Sequence, residues 1–403
     1  MKPNVLQLIG SFNQGGSERQ AVQLARLLHE AGHFRVHVAC LDGSGPLRRE
    51  IEQLGLGEIT EFPMTSFYDR NTVTQLRRFG RYLRDRKIDI LHTHDFYTNV
   101  FGMAGASFSR APVIRIASRR ETGGMRSRAQ KFLQHRVYLR ADAIVANADA
   151  VRAVLIAEGL RESKISTIYN GLDLKRLTPS GELDRPRTLE QFGLAGAANR
   201  RFVTIVANMR HVVKDHRTFL RAANRVKEEV ADSAFVIAGE GELLESLKAF
   251  ASELGLAKDA YFIGRCDRVA DLLAVSEVCV LSSTNEGFSN SILEYMSASR
   301  PVVVTDVGGA REAVIEGKTG FIVSSGDYKK MAIQITNLLR DPVRAAEMGR
   351  QSRRVVEERF SCEAQLARTE ELYEKLVALR LPSDLASRAE MSQSENVPAS
   401  DRS

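Results

Sequence analysis

The chain has 403 residues, which is too long for one ordinary hydrophobic core and long enough for two domains of typical size. Apolar residues make up 43% of it and charged residues 27%, a composition that excludes a disordered or membrane-spanning chain. No apolar run approaches the roughly 18–20 residues that cross a bilayer. The N-terminus lacks the pattern of an export signal, so we expect a cytoplasmic protein.

The first half alternates short apolar runs with helical patterns. Its strand candidates are Val5–Ile9, Arg35–Leu41, Ile88–His92, Val113–Ala117, Ala143–Ala146 and Ile165–Ile168. Between the first two, apolar residues recur at helical spacing and Gly32 stands where a helix commonly ends. Short β-branched runs separated by helices predict a parallel sheet that is covered on both faces.

A second series of the same kind follows a polar segment at 173–200. Its strand candidates are Phe202–Ala207, Ala234–Ala238, Tyr261–Ile263, Val278–Leu281, Pro301–Thr305 and Gly320–Val323. The helical patterns are Arg217–Val230, Leu243–Leu254, Val269–Ala274, Asn290–Ala298 and Cys362–Leu379. We therefore predict an α/β protein with two Rossmann-like parallel-sheet domains, 1–180 and 181–360, facing a cleft. A helix at 361–380 and a disordered tail at 381–403 would follow.

The charge is uneven along the chain. Residues 1–180 contain 27 Lys and Arg against 17 Asp and Glu, whereas the remainder contains 30 against 33. Much of the excess lies between Arg110 and Arg140, where Glu121 is the acid and the cations include Arg115, Arg119, Arg120, Arg126, Arg128, Lys131 and Arg136. Such a stretch attracts phosphates, anionic lipids or nucleic acid, and it also fits a solvated helix face.

The strongest local motif is NEGFSNSILEYM, from residue 285. A buried strand ends in a polar loop with Glu286, and a helix begins near Ser289 or Asn290, where its N–H groups suit a phosphate. Glu294 lies about one turn into this helix, where it could accept hydrogen bonds from ribose hydroxyls. Glu286 could hold the hydroxyls of a second sugar ring. The alternative is two solvated acids.

A cationic pair follows the first strand of the second domain. Arg210 and Lys214 flank that loop, and together they match the charge of a diphosphate. Solvated surface cations are the alternative for this pair taken alone. The glycine loop with Gly15 and Gly16 precedes the first helix, and it permits close approach of an anion without being GxGxxG.

His92, His94 and Asp95 follow the strand at 88–92. Because no third ligand is apparent, we predict no metal site there, and we expect His94 or Asp95 to act in acid/base chemistry or acceptor binding. Cys40, Cys266, Cys279 and Cys362 are widely spaced, which predicts buried thiols rather than disulfides or zinc ligands.

Taken together, these segments resemble glycosyltransferase family 4, a retaining group with the GT-B fold. Glu286 and Glu294 match its EX7E signature, and Arg210 and Lys214 resemble its diphosphate-binding pair. Residues 262–283, which include Arg265, are similar to its stretch lining the nucleotide base, and residues 307–314 are similar to its following loop. The glycine loop at 10–19 matches that of its first domain.

The resemblance implies a donor site and a mechanism. Glu294 would bind ribose, and Glu286 would hold the donor sugar and stabilise the transition state. Arg210 and Lys214 would neutralise the leaving diphosphate without a metal or other cofactor. The donor would be a UDP- or GDP-sugar, contacted also by Phe288, Ser289, Asn290, Gly15 and Gly16. The final helix would cross back to the first domain.

One departure from the family concerns Ser118, which stands where many members have a histidine that contacts the donor sugar. Arg119, Arg120 and Glu121 follow it, and these arginines could meet an anionic acceptor. Family members often act on glycan or lipid-linked acceptors in bacterial polysaccharide or cell-envelope synthesis. We therefore expect peripheral contact with an anionic membrane through Arg110–Arg140.

Two other classes of protein share this architecture. One is a nucleotide-sugar epimerase or hydrolase, and the other is a sugar-nucleotide binder without catalysis. A nucleic-acid partner is not expected, because the basic stretch lacks interleaved aromatic residues and no recognised nucleic-acid module is present. Neither the acceptor nor the oligomeric state is specified by the sequence.

Overall fold

A computed structural model describes residues 2–64, 70–109, 111–123, 126–177 and 184–394, with residues 176 and 381–394 described by their backbone alone. Seven of its strands form one sheet: β1 Asn4–Ile9, β2 Arg35–Cys40, β3 Thr60–Glu61, β4 Ile90–Thr93, β5 Ile114–Arg119, β6 Ala143–Ala146 and β7 Ile165–Thr167. Their order across the sheet is β3-β2-β1-β4-β5-β6-β7.

A second sheet contains six strands of the described residues. They are β8 Arg201–Val206, β9 Ser233–Ala238, β10 Ala260–Gly264, β11 Val278–Leu281, β12 Val302–Thr305 and β13 Gly320–Val323. Their order is β10-β9-β8-β11-β12-β13. In both sheets the order reverses beside the first strand, and its pairings with the neighbours on either side are parallel. This is the doubly wound arrangement, and the predicted fold class of two Rossmann-like parallel-sheet domains is confirmed.

Helices alternate with these strands. They are α1 Gly16–Ala31, α2 Arg48–Glu52, α3 Arg70–Asp85, α4 Phe96–Ser109, α5 Arg128–Arg140, α6 Asp149–Ala157, α7 Arg185–Gln191, α8 His216–Glu229, α9 Leu244–Glu253, α10 Val269–Ala274, α11 Asn290–Ser297, α12 Ala310–Ala313, α13 Tyr328–Arg340, α14 Pro342–Arg359 and α15 Cys362–Ser394. A short 3₁₀ turn, Val212–Lys214, precedes α8.

The sequence predicted most of these elements to within a few residues, because buried parallel strands read as continuous apolar runs. All four residues of β11 and of β12 are buried. The strand β3 was not predicted, since two residues are too short to show a period. The last helix reaches Ser394, beyond Pro382, where the sequence predicted an irregular tail; residues 395–403 lie outside the described part.

The chain divides into two compact units. One comprises residues 1–118, 133–144 and 366–403, and the other comprises 119–132 and 145–365. In the first, a core cluster is built around Leu8, Phe62, Phe79 and Phe101. In the second, a larger cluster packs α8, α9 and α13 against the six-stranded sheet. The boundaries predicted from sequence, 1–180 and 181–360, stay predictions.

Among the described residues, none of the helices is both long and apolar enough to span a bilayer.

Candidate active site

The candidate site lies at the carboxyl ends of β8 and β11, the adjacent strands where the order of the second sheet reverses. Val278 of β11 is opposite Val203 of β8, and Cys279 is opposite Thr204. The loop after β8 carries Arg210 and Lys214, and the loop after β11 carries Glu286. Because ligands of open parallel sheets bind at such a reversal, the topology brings these two loops to the expected edge.

Lys214 and Glu286 are in direct contact. The Lys214 Nζ lies 2.5 Å from Glu286 Oε1, and the Ser283 hydroxyl donates to the same oxygen at 2.7 Å. The two charged side chains are only 19% and 15% exposed. A charge-assisted contact that is mostly shielded from water is stronger than a surface ion pair, so the Glu286 carboxylate is held in one place.

Two hydrogen bonds to backbone carbonyls join the two loops beside this pair. The Ser282 hydroxyl donates to the carbonyl of Lys214 at 2.9 Å. The Thr284 N–H donates to the carbonyl of Val213 at 2.8 Å. These bonds fix the 3₁₀ turn that ends at Lys214 against the start of the Glu286 loop.

Arg210 does not join the contact between Lys214 and Glu286. Its side chain is 61% exposed and lies 3.4 Å from Glu240, which is 54% exposed. An exposed ion pair of this kind contributes about 0–1 kcal/mol. A diphosphate could therefore draw Arg210 away from Glu240 at little cost.

The glycines of the loop after β9, Gly239–Glu242, explain where Arg210 lies. Gly239 has φ +152°, and a Cβ on it would fall 2.0 Å from the carbonyl oxygen of Ala207. A Cβ on Gly241 would fall 2.2 Å from the backbone of Met209. The loop thus packs directly on the backbone that carries Arg210, which places Glu240 beside the guanidinium.

The helix α11 begins at the same edge and carries Glu294. Its N-cap residue, Ser289, is 8% exposed and makes no side-chain capping bond. Unpaired N–H groups at a helix start favour an anion. The buried Tyr295 hydroxyl lies 2.7 Å from the N–H of Val206 and fixes α11 against the end of β8. Glu294, the residue before it, is half-buried.

Phe288 and Arg265 occupy different environments from the other predicted donor contacts. The Phe288 side chain is 5% exposed and packs 5.1 Å from the rings of both Tyr169 and Phe360. Its backbone carbonyl accepts from the Asn170 amide at 3.2 Å. Arg265 is exposed and pairs with Asp267 at 2.9 Å. Phe288 thus contributes packing and its backbone to this edge.

A segment that the sequence did not assign to the site contacts the Glu286 loop. The Thr122 hydroxyl lies 2.9 Å from the carbonyl oxygen of Glu286 and 3.0 Å from Asn285 Oδ1. A Cβ on Gly287 would fall 2.1 Å from the carbonyl oxygen of Arg120. Only a glycine fits at residue 287, because the 120–122 backbone lies against it.

Asn170 is a second such residue. Its amide donates to Asn290 Oδ1 at 2.8 Å, and its own oxygen accepts from Arg120 at 2.8 Å. The first residue of α11 is thereby linked to the segment after β5. No motif in the sequence marked Asn170 as part of the site.

His94 lies in a buried polar network of the first unit and is 2% exposed. Its Nε2 is 2.7 Å from Gln7 Oε1, and the Gln7 amide donates to the Tyr373 hydroxyl at 3.0 Å. The same hydroxyl is 2.7 Å from His92 Nδ1, while His92 Nε2 is 2.8 Å from the Ser118 hydroxyl.

In the glycine loop of the first unit, the Glu18 side chain of α1 lies where an anion was expected. Gly15 is the N-cap of α1 with a negative φ of −76°, so it is not needed for a left-handed turn. A Cβ there would fall 2.1 Å from the Glu18 carboxylate, so the end of the Glu18 side chain lies against Gly15. An anion at Gly15 and Gly16 would have to displace Glu18.

Much of the basic stretch at 110–140 is engaged within the protein. Arg115 lies 3.4 Å from Asp142, Arg126 lies 2.5 Å from Glu121, and Arg119, which is 5% exposed, lies 2.5 Å from Glu158. Arg110 lies outside the described residues. Exposed cations remain on α5 beside Phe132, whose exposed fraction is 69%.

The described residues offer neither a metal site nor a reactive thiol. They contain no group of three or more His, Cys, Asp or Glu side chains placed to hold a metal ion. Burial raises the pKa of Cys40 to about 12 and that of Cys266 to about 11, so neither thiol is poised as a nucleophile. A cavity of 530 Å³ beside β10 and α9 is lined by Phe262 and Ile263, from the start of the stretch predicted to line the nucleotide base, and by none of the other predicted site residues.

Comparison with known proteins agrees with this fold. HepE from Anabaena, solved in complex with UDP, superposes with a TM-score of 0.80 at 20% identity, over 93% of this chain and 100% of that one. The fold is therefore the GT-B fold of glycosyltransferases. Residues 14–176 match the family model described as Glycosyltransferase Family 4, and residues 200–341 match the one described as Glycosyl transferases group 1. The chain therefore belongs to the glycosyltransferases that these two models describe.

Two relatives illustrate the range of the similarity. The EpsD protein of Bacillus subtilis is 29% identical over 207 residues, which are 51% of this chain and 53% of that protein. The chain thus spans about half the length of this relative. The UDP-Gal:alpha-D-GlcNAc-diphosphoundecaprenol alpha-1,3-galactosyltransferase of Escherichia coli is 24% identical over 341 residues, 81% of this chain and 86% of that protein.

Proposed function

We propose that the chain transfers a hexose from a UDP- or GDP-sugar to a glycan or lipid-linked acceptor in bacterial polysaccharide or cell-envelope synthesis. The observation that carries this proposal is the shielded contact between Lys214 and Glu286 beside the start of α11. It combines a cation, a fixed carboxylate and helix N–H groups at one sheet edge. This set of groups suits a sugar linked to a diphosphate.

Each residue has a role in this proposal. The Lys214 ammonium and the α11 N–H groups would stabilise the charge that develops on the leaving diphosphate, and Arg210 would turn towards it from Glu240. Glu294 would accept hydrogen bonds from the ribose hydroxyls. Lys214 and Ser283 contact Oε1 of Glu286, and its Oε2 would accept from a hydroxyl of the donor sugar.

The reaction breaks the bond between the anomeric carbon and the diphosphate oxygen and forms a bond to an acceptor hydroxyl oxygen. The acceptor proton leaves with the diphosphate or to solvent. We propose that the configuration at the anomeric carbon is retained and that protein cations replace a metal in balancing the diphosphate charge. Activity that is lost in EDTA and restored by manganese would contradict the second point.

Two of the similar proteins support the proposed donor and acceptor classes. UDP in the HepE crystal structure and UDP-Gal in the name of the Escherichia coli relative favour a UDP-sugar here. The diphosphoundecaprenol acceptor in that name favours a lipid-linked acceptor. Such an acceptor would place the enzyme at a membrane, and the exposed cations of α5 within Arg110–Arg140 would contact anionic headgroups.

The test begins with calorimetric binding of UDP, GDP and ADP, of which we expect UDP to bind most tightly. Product analysis with the matching nucleotide sugar then separates the enzyme classes. Free nucleotide together with a glycosylated acceptor supports the proposal. A donor with altered stereochemistry would indicate an epimerase, and free sugar in the presence of acceptor would indicate a hydrolase.

A further inference from the structure

The exposed face of α3 carries a line of arginines that the proposed transfer reaction does not use. Arg70, Arg77, Arg81 and Arg84 are all exposed, and at 100° per residue their spacing places them within about 60° of arc. At 1.5 Å per residue the line is about 21 Å long. We call these four residues the arginine face of α3.

Few carboxylates of the protein neutralise the positive charge of the arginine face. The one acid in α3 is Asp85, which lies 3.7 Å from Arg84. Within the described residues, no carboxylate forms an ion pair with Arg77 or Arg81. Two nearby arginines behave differently, because Arg78 stacks over Phe62 and Arg86 over Tyr82. Those two contact aromatic rings of the first unit and are not part of the arginine face.

Two large apolar side chains are exposed beside this line. Val73 on α3 is 42% exposed and stands one turn before Arg77. Phe108 at the end of α4 is 45% exposed, and a Cβ on Gly80 would fall 2.8 Å from its backbone. Gly80 stands one turn before Arg84, so Phe108 is adjacent to the arginine face on the same side as Val73.

The combination of exposed cations and exposed apolar side chains indicates which kind of partner this surface would bind. A hydrated polyanion would neutralise the arginines but would leave Val73 and Phe108 in water. An anionic bilayer accommodates both, because phosphates bind the guanidinium groups while apolar side chains enter the boundary with the acyl chains. We propose that the arginine face of α3, with Val73 and Phe108, docks this protein on an anionic lipid surface.

This proposal names a contact surface different from the basic stretch at 110–140. In that stretch Arg115, Arg119 and Arg126 already face carboxylates of the protein. The docking proposal adds a contact surface on α3 to the membrane contact proposed for α5, and it does not depend on the chemistry of the proposed transferase. The two can therefore fail separately.

The chain contains no tryptophan, which allows a single-tryptophan experiment in the full chain. Phe108→Trp reports on the α3 surface, and Phe132→Trp reports on α5. Val343→Trp on α14, a position that is 78% exposed, is the matched control. Each variant is mixed with phosphatidylcholine vesicles with and without phosphatidylglycerol, and with vesicles that contain a brominated quencher lipid.

We expect the emission of Phe108→Trp to shift to the blue and to be quenched only by the anionic vesicles, in a manner that high salt abolishes. Val343→Trp should not change. A response from Phe132→Trp without one from Phe108→Trp would overturn the assignment to α3. No response from any variant, with no co-sedimentation, would overturn lipid docking altogether.

A charge variant tests the arginines themselves. Each Lys or Arg near an anionic surface strengthens binding about fivefold, so replacing Arg77, Arg81 and Arg84 with Gln should weaken vesicle partitioning about a hundredfold. Replacing the exposed Lys318, Lys329 and Lys330 with Gln removes the same charge and should have little effect. Equal losses in both variants would mean that net charge alone drives binding, which contradicts the proposal.

Two further measurements distinguish a failure of the docking proposal from misfolding and from a failure of the proposed function. Thermal unfolding must show that the triple-arginine variant is folded, and UDP calorimetry on the same sample tests the proposed function independently. Binding of heparin or DNA through Arg77, Arg81 and Arg84, without binding to anionic vesicles, would identify a polyanion partner and refute the lipid surface.

Discussion

The Lys214 ammonium lies 2.5 Å from Glu286 Oε1, and each side chain is less than one-fifth exposed. The two residues are 72 positions apart in the chain and meet because β8 and β11 are neighbours in the sheet. The contact therefore links the predicted diphosphate-binding cation to the predicted sugar-binding acid. Neutralising one member should disturb the function of the other.

The Lys214→Met variant tests this coupling. It removes the cation, and we expect kcat/KM for the donor to fall by about a hundredfold to a thousandfold, the usual effect of losing one electrostatic group at a transition state. Lys214→Arg should recover part of the activity. Lys248→Met, which breaks an exposed pair with Glu245, is the control and should retain wild-type kinetics. Wild-type turnover in Lys214→Met would contradict the role of this cation.

The contrast between Lys214 and Arg210 shows what the sequence predicts and what it does not. The strands in their order along the chain, the loop positions and the start of α11 follow from short apolar runs and from N-cap residues, so the loops that meet at this sheet edge were predictable. The directions of the two cations were not predictable. They depend on the packing of Gly239 and Gly241 against the Arg210 loop, which is a contact between distant segments.

Thr122 and Phe288 illustrate the same limit on what the sequence alone can predict about the site. Thr122 lies 2.9 Å from the carbonyl oxygen of Glu286, across 164 positions of sequence, and it stands in a segment without a motif. Phe288 belongs to the EX7E segment, yet its ring packs with Tyr169 and Phe360. Local patterns indicate where a loop lies, whereas tertiary packing determines which of its side chains are available.

Glu294 should be responsible for recognition of the ribose. If its carboxylate binds a ribose hydroxyl, the wild type should bind UDP about tenfold to a hundredfold more tightly than 2′-deoxy-UDP, since hydrogen bonds to charged groups contribute about 1.5–3 kcal/mol. Glu294→Ala should bind both nucleotides with similar, weak affinity. Calorimetry with the two ligands measures this, and discrimination that persists in the variant would remove the assignment.

Thr122 should act as a positioning residue for Glu286. Thr122→Val removes the hydroxyl at the carbonyl oxygen of Glu286 and should lower kcat while the dissociation constant for UDP stays near the wild-type value. Thr122→Ser keeps the hydroxyl and should restore kcat. If Thr122→Ser is as impaired as Thr122→Val, the methyl group rather than the hydrogen bond is what matters.

Tyr373 should stabilise the first unit through its buried hydroxyl. Tyr373→Phe leaves the Gln7 amide and His92 Nδ1 without this partner, and we expect the free energy of unfolding to fall by about 1–3 kcal/mol. Tyr261→Phe removes a hydroxyl from a half-buried tyrosine and should change stability by less than about 0.5 kcal/mol. Denaturant unfolding compares the two. Equal effects would show that the network contributes nothing specific.

His216 should make stability depend on pH. Burial lowers the pKa of its imidazole from 6.5 to about 4, and Nε2 lies 3.3 Å from the carbonyl oxygen of Ala207. Because the folded-state pKa is lower than the unfolded value, the unfolded chain takes up the proton first as the pH falls. The contribution of neutral His216 is therefore complete above pH 6.5 and is lost progressively between pH 6.5 and 4.

The loss over that interval should be about 3 kcal/mol, at 1.36 kcal/mol per pKa unit. His216→Gln cannot titrate, so the difference in unfolding free energy between wild type and variant should shrink as the pH is lowered from 6.5 towards 4. The exposed His29→Gln is the control and should leave the pH dependence unchanged. Denaturant unfolding at several pH values provides the measurement. A constant difference between wild type and His216→Gln would mean that the pKa of His216 is the same in the folded and the unfolded chain, and that the loop joining β8 to α8 does not exclude water from the imidazole.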